Sequence, residues 1–216
     1  MHDLLDESRS LILDAIANYS DLTITTGLNV GGTVLIDLAA KLNFTGEVVF
    51  VDTGYHFPET ISFYSELSKR YGNIEFVSLS AQTPYEDGFL EDPAKCCEIN
   101  KVEPLFNYLE EKAPSALLNG RTRDSARTRS NLSPFEEGTP LKINPLYKWT
   151  TRSLIDYSRE ESLSNHPLVS QGYLSMGCWP CTRAVAEGDD PRSGRFVGQG
   201  RVECGIWTRK TEGSIR

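Results

Sequence analysis

The residues best equipped for chemistry in this sequence are five cysteines and a set of arginines. Two cysteines are adjacent, Cys96-Cys97, and two more form Cys178-Trp179-Pro180-Cys181. Thiolates bind both zinc and iron–sulfur clusters. Adjacent cysteines reach one tetrahedral ion poorly, whereas a cubane offers four separate iron corners, so the spacing favours a cluster over zinc. His2, His56 and His166 are scattered and none stands near either pair, which weighs against a mixed zinc site. The bland alternatives are buried free thiols or a disulfide, and a reducing compartment disfavours the latter.

The fifth cysteine, Cys204 in RVECGIWTRK, is unpaired and has Arg201 and Glu203 nearby. A nucleophilic thiol needs neighbouring cations to hold it as thiolate, together with access to a reactant. A leftover cysteine is otherwise a small buried hydrophobe. Arg123, Arg127, Arg129, Arg183, Arg192, Arg195 and Arg201 fall in separate polar stretches of an acidic chain. The planar fork of arginine suits phosphate and sulfate oxyanions, and the pattern predicts a shared anion site.

These groups need a scaffold. LTIT (22–25), EVVFV (47–51), IEFVSL (74–79) and SALLNG (115–120) read as buried parallel strands. TVLIDLAAKL (33–42) and PETISFYSELSKRYG (58–72) read as crossover helices, the second with Pro at its first turn and Gly at its end. INKVEPLFNYLEEK (99–112) predicts a helix starting just past the Cys-Cys pair, its start constrained by Pro104. This order predicts an α/β, doubly wound, mostly parallel sheet that binds ligands at the carboxyl ends of its strands. There TITTGLNVGGTVL offers Gly27, Gly31 and Gly32 to an anion at a helix N-terminus, and VDTG offers Asp52. An ordinary βα turn and a capping turn are the alternatives for these two stretches. From about residue 120 Gly, Pro and Arg dominate, so the expectation is one domain over 1–216, with a nucleotide-binding sheet (22–120) and an irregular C-terminal lobe (121–216).

With 216 residues, 39% hydrophobic and 24% charged, the chain has the profile of a globular protein. Its net charge of −8 argues against non-specific nucleic-acid binding. The first twenty residues read as an amphipathic helix rather than a signal peptide, and no apolar run is long enough for a membrane. A cytoplasmic location is the expectation.

VDTGYHFPET, KCCEINKVEPL, GRTRDSARTR, LKINPLYKWT, HPLVSQGYLSMGCWPCTRAV, GDDPRSGR and ECGIW together resemble the adenylyl-sulfate/phosphoadenylyl-sulfate reductase family, in the family's own order. The paired cysteines resemble its cluster-bearing branch, which typically acts on adenylyl sulfate. The resemblance implies an adenine-nucleotide α-hydrolase-like fold and a [4Fe-4S] cluster on Cys96, Cys97, Cys178 and Cys181. It implies that the Cys204 thiolate attacks the substrate sulfur, expels AMP and forms S-sulfocysteine, from which thioredoxin or glutaredoxin releases sulfite. Lys101 matches the family lysine between cluster and sulfate, Arg192 and Arg195 match phosphosulfate ligands, and Arg123 and Arg129 match basic residues of the central motif. TTGLNVGGT replaces the family's serine-bearing phosphate loop, and Trp207 stands where a His is usual. The sequence leaves a homo-oligomer open, and the resemblance leaves room for phosphoadenylyl sulfate as substrate. An ATP-dependent thiolation enzyme and a non-catalytic zinc-stabilised nucleotide-binding module are the rivals from other classes.

Overall fold

The computed structural model describes residues 2–186, 188–201 and 203–206. In chain order the main elements are α1 (His2–Asn18), β1 (Leu22–Thr26), α2 (Val30–Lys41), β2 (Glu47–Val51), α3 (Pro58–Arg70), β3 (Glu75–Leu79), α4 (Gly88–Glu91), α5 (Pro93–Cys97), α6 (Glu103–Lys112), β4 (Ala116–Asn119), β5 (Phe135–Glu136), β6 (Leu141–Ile143) and α7 (Thr151–Glu160). The six strands lie in the order β3-β2-β1-β4-β6-β5. All neighbouring pairs are parallel except β5 with β6.

Apolar residues cover both faces of the central strands, as a parallel sheet sandwiched by helices requires. Val48 and Phe50 of β2 join Ile12 of α1, Leu35 of α2, Phe63 of α3 and Leu154 of α7 in the larger core. The alternate residues Val49 and Val51 face the other way, onto Leu105 and Leu109 of α6. Helices on both faces make the sheet doubly wound, as the sequence predicts. The chain builds outward from β1 to β3 and then returns to lay β4 on the other side of β1. Between the carboxyl ends of β1 and β4 the strand order therefore reverses, which is where α/β sheets open a ligand crevice.

The helix expected over 99–112 begins differently. Cys96 and Cys97 form the last turn of α5, and a single π-helical turn, Glu98–Val102, runs straight into α6. Pro104 supplies the reason. It lacks the N–H that the Asn100 carbonyl would accept in a regular helix, and a wider turn absorbs that loss. Past Asn119 the short β5 and β6, α7 and three 3₁₀ turns (Arg127–Arg129, Pro167–Gln171, Trp179–Cys181) carry the chain back over the carboxyl ends of the strands. Among the described residues no helix is long and apolar enough to cross a membrane.

Candidate active site

The floor of the crevice is the turn between β1 and α2. Asn29 caps α2, its Oδ1 accepting from Gly32 N at 2.9 Å, and Thr26 Oγ1 accepts from Leu28 N at 3.0 Å. A Cβ on Gly31 would stand 2.3 Å from the Gly120 carbonyl oxygen, so this glycine lets β4 and α2 approach closely. Gly27 has open space around it and lines the crevice, together with Asn29 and Gly32.

From this floor one continuous pocket runs to the C-terminal segment. Its walls are the apolar end of β2 (Val49, Phe50, Val51) with Leu105 and Ile206. Its polar groups include Lys101, Arg121, Arg129, Arg192, Arg195, His56, Asn119 and Cys204. An apolar wall beside a cluster of cations suits a ligand that joins an apolar ring to an anion.

Three of the seven arginines singled out by sequence, Arg129, Arg192 and Arg195, converge on this pocket. The others turn elsewhere. Arg123 donates from Nε to the Leu132 carbonyl at 2.8 Å and lies over the Tyr147 ring. Arg183 donates to the Trp179 and Thr182 carbonyls, and Arg127 is exposed. Asp52 does not line the pocket. Its Oδ1 accepts from Gly54 N at 2.9 Å, closing a local turn.

The pocket also holds residues the sequence reading passed over. Arg121 Nη1 pairs with Glu136 at 2.6 Å. Asn119, last in β4, has its amide fixed by Thr25, whose Oγ1 donates to Oδ1 at 2.6 Å. Among the described residues the buried Asn119 Nδ2 and Arg121 Nε have no hydrogen-bond partner. Burial and the Lys101 charge push His56 down to about 4, so the ring is neutral and Nε2 donates to the Val51 carbonyl at 3.0 Å. Register alone carried a signal for Asn119: it ends a strand next to the glycine turn. Arg121 and His56 gave none beyond their type.

Cys204 sits in the electropositive end of the pocket. Burial pushes its thiol up, but the Lys101 charge, the Ile206 N–H and the Arg195 charge outweigh this and hold it below the ordinary thiol value. Arg195 donates to the Met176 carbonyl and lies against Gly177, whose missing side chain leaves space for the guanidinium. A β-bridge between Arg195 and Thr182 ties this arm to the Cys178–Cys181 turn.

Lys101 belongs to a second cavity as well, lined by Cys96, Cys97, Cys178 and Cys181. Each of the four sulfurs has a hydrogen-bonding group as neighbour. Asn100 Nδ2 stands 3.5 Å from Cys96, Arg201 Nη2 3.5 Å from Cys97, Thr53 Oγ1 3.1 Å from Cys178 and Gln199 Nε2 3.4 Å from Cys181. Four sulfurs lining one space, each facing a donor, fit a thiolate-ligated metal cluster, because such donors stabilise anionic sulfur. Among the described residues no three His, Cys, Asp or Glu side chains are grouped to hold one metal ion. Burial, opposed by Arg201, pushes the free Cys97 thiol up to about 11, so a bound cation is what would ionise it. Trp207 lies outside the described residues.

A crevice at the switch point of a doubly wound sheet, with a cysteine and a lysine at its cationic end, fits a nucleotide-binding protein equipped for thiol chemistry. Residues 21–184 match the model of the phosphoadenosine phosphosulfate reductase domain, and the chain belongs to that family. It is 47% identical over 208 residues to a Deinococcus radiodurans protein named adenosine 5'-phosphosulfate reductase, covering 93% of this chain and 82% of the relative. A Mycobacterium tuberculosis protein of the same name is 39% identical over 189 residues, covering 82% and 73%. Among solved structures, phosphoadenylyl-sulfate reductase from Candida auris superposes with a TM-score of 0.69 at 23% identity, over 80% of this chain and 88% of that one. FMN adenylyltransferase from Candida glabrata gives 0.65 at 14% identity, over 98% and 72%. Both show the shared fold and nothing finer.

Proposed function

We propose that this protein is an assimilatory adenylyl-sulfate reductase whose nucleophile is Cys204. The observation that carries the reading is that Cys204 shares one pocket with Lys101, Arg195 and the glycine turn, with its thiol biased toward thiolate. The adenine would lie against Val49–Val51 and the sulfate against Lys101 and Arg195, with Arg192 and Arg129 bordering the same end. An anionic thiolate meeting an anionic sulfate is a repulsive encounter, and preorganised cations in a water-poor site offset it. Cys204 Sγ attacks the sulfate sulfur; the S–O bond to the phosphate breaks and AMP leaves with the electron pair. The product, Cys–S–SO₃⁻, is attacked at Sγ by a thiolate of a dithiol donor such as thioredoxin or glutaredoxin. The Sγ–S bond to the sulfo group breaks, sulfite leaves with its electron pair, and the donor's second thiol displaces Cys204 as thiolate to give the donor disulfide. Cys96, Cys97, Cys178 and Cys181 would hold a [4Fe-4S] cluster, whose charge would add to the field around Lys101. Residues from both 22–120 and 121–206 build the pocket, which supports treating 1–216 as a single reductase domain.

The test is anaerobic purification with iron and sulfide analysis, followed by sulfite release from adenylyl sulfate with thioredoxin. Adenylyl sulfate is expected to turn over faster than its 3'-phosphorylated form. Absence of sulfite from both nucleotides would refute the reading, and a preference for the phosphorylated one would reassign the substrate.

A further inference from the structure

We infer that Glu203 is a positioning residue for the Cys204 thiol, clamped in place by Arg129, Arg192 and Thr128. The inference rests on the reading of Cys204 as nucleophile and adds a role for its neighbour. Both carboxylate oxygens are engaged. Oε1 is 3.2 Å from Arg129 Nη2 and 3.1 Å from Thr128 Oγ1; Oε2 is 3.1 Å from Arg192 Nη2 and 3.3 Å from Arg129 Nη2.

The clamp is itself braced. Arg129 Nη1 donates to Ser125 Oγ at 3.0 Å, and Ser125 Oγ donates to the Thr122 carbonyl at 2.8 Å. The Arg192 backbone N–H donates to Asp190 Oδ1 at 2.8 Å, and its Nη1 donates to Ser175 Oγ at 3.4 Å. The side chains of Arg129 and Arg192 are only 15% and 16% exposed and that of Glu203 24%, so solvent competes little for these bonds. Cys204 is one peptide unit from the clamped residue, about 3.8 Å from Cα to Cα. Fixing the carboxylate therefore confines the sulfur.

Electrostatics point to the same role by elimination. Glu203 pushes the Cys204 thiol up, away from thiolate, so its presence costs nucleophilicity. It also neutralises charge on arginines that line the pocket. An acid that opposes both activation and anion binding has geometry as its remaining contribution. Arg129 and Arg192 thereby act on the thiol through Glu203, in addition to facing the substrate pocket.

The test uses the cluster-loaded full chain and compares wild type with Glu203→Gln and Glu203→Asp. Single-turnover formation of S-sulfocysteine is followed without reductant, and AMP binding is measured separately. Glu203→Gln keeps the shape but loses the charged clamp, and its sulfo-transfer rate is expected to fall at least about tenfold. AMP affinity is expected to hold or to tighten, and Glu203→Asp to recover part of the rate. Combining Glu203→Gln with Arg129→Met is expected to slow transfer little beyond the slower single variant, as for two ends of one contact. A Glu203→Gln rate equal to wild type would overturn the inference, as would a parallel loss of AMP affinity or fully additive effects. Wild type that forms no S-sulfocysteine would instead overturn the proposed function.

Discussion

Gly177→Ala tests how strictly the site depends on the placement of Arg195. An alanine Cβ here would stand 2.3 Å from Arg195 Nη2 and 2.7 Å from its Cζ, where ordinary contact begins near 3.4 Å. The guanidinium must therefore retreat by about 1 Å. It cannot do so freely, because it is partly buried and bonded to the Met176 carbonyl. A displacement of that size at a charge-stabilising group costs on the order of a hundredfold in rate. We expect kcat/KM for sulfite release to fall about a hundredfold, with the thermal midpoint lowered by only a few degrees and the content of the proposed cluster unchanged from wild type. Withdrawing the Arg195 charge from the thiol also raises the pKa of Cys204, so alkylation at neutral pH slows. Wild-type kcat/KM in a folded, iron-containing Gly177→Ala protein would refute the assignment of Arg195 to the reacting centre.

Three further outcomes follow from the same geometry. Lys101→Met removes the foremost attraction on the Cys204 thiolate, so the pH at which alkylation reaches half its limiting rate should move up; an unchanged profile would contradict the role given to Lys101. His56 is held neutral in the fold, down to about 4 from an ordinary 6.5, so the unfolded chain binds the extra proton as pH falls between those values. Stability should then drop on acidification through that window by up to about 3 kcal/mol, and urea titrations of His56→Gln should lose that slope. Thr53→Val removes the hydroxyl 3.1 Å from Cys178 and should hasten bleaching of the proposed cluster in air, with nucleotide affinity unchanged; equal bleaching would show that this contact does not protect the sulfur.

The sheet was readable because its strands are buried on both faces and so appear as short apolar runs; β2 lies where EVVFV predicts it. The glycine turn and the cysteine pairs were equally visible, since each depends on residue type at fixed spacing. Which arginines meet was not visible. Arg123 and Arg129 belong to one motif, yet the 3₁₀ turn over Arg127–Arg129 carries one into the pocket while the other stacks on Tyr147. Arg201, close to Cys204 in sequence, serves Cys97 instead, because its guanidinium passes over Phe196 to the end of α5. Spacing along an irregular segment does not encode direction, and no periodicity relates Glu203 to two arginines from different loops. The π turn after Cys97 was foreshadowed only by Pro104.

The central claim is a covalent one, and intact-protein mass measurement addresses it directly. Anaerobically prepared protein is mixed with adenylyl sulfate in the absence of any thiol donor and digested for peptide assignment. The account predicts one sulfo group per chain, on Cys204, released by thioredoxin, and no adduct on an iron-replete Cys204→Ser variant. An unmodified Cys204 while AMP is produced, or a sulfo group on another cysteine, would contradict it.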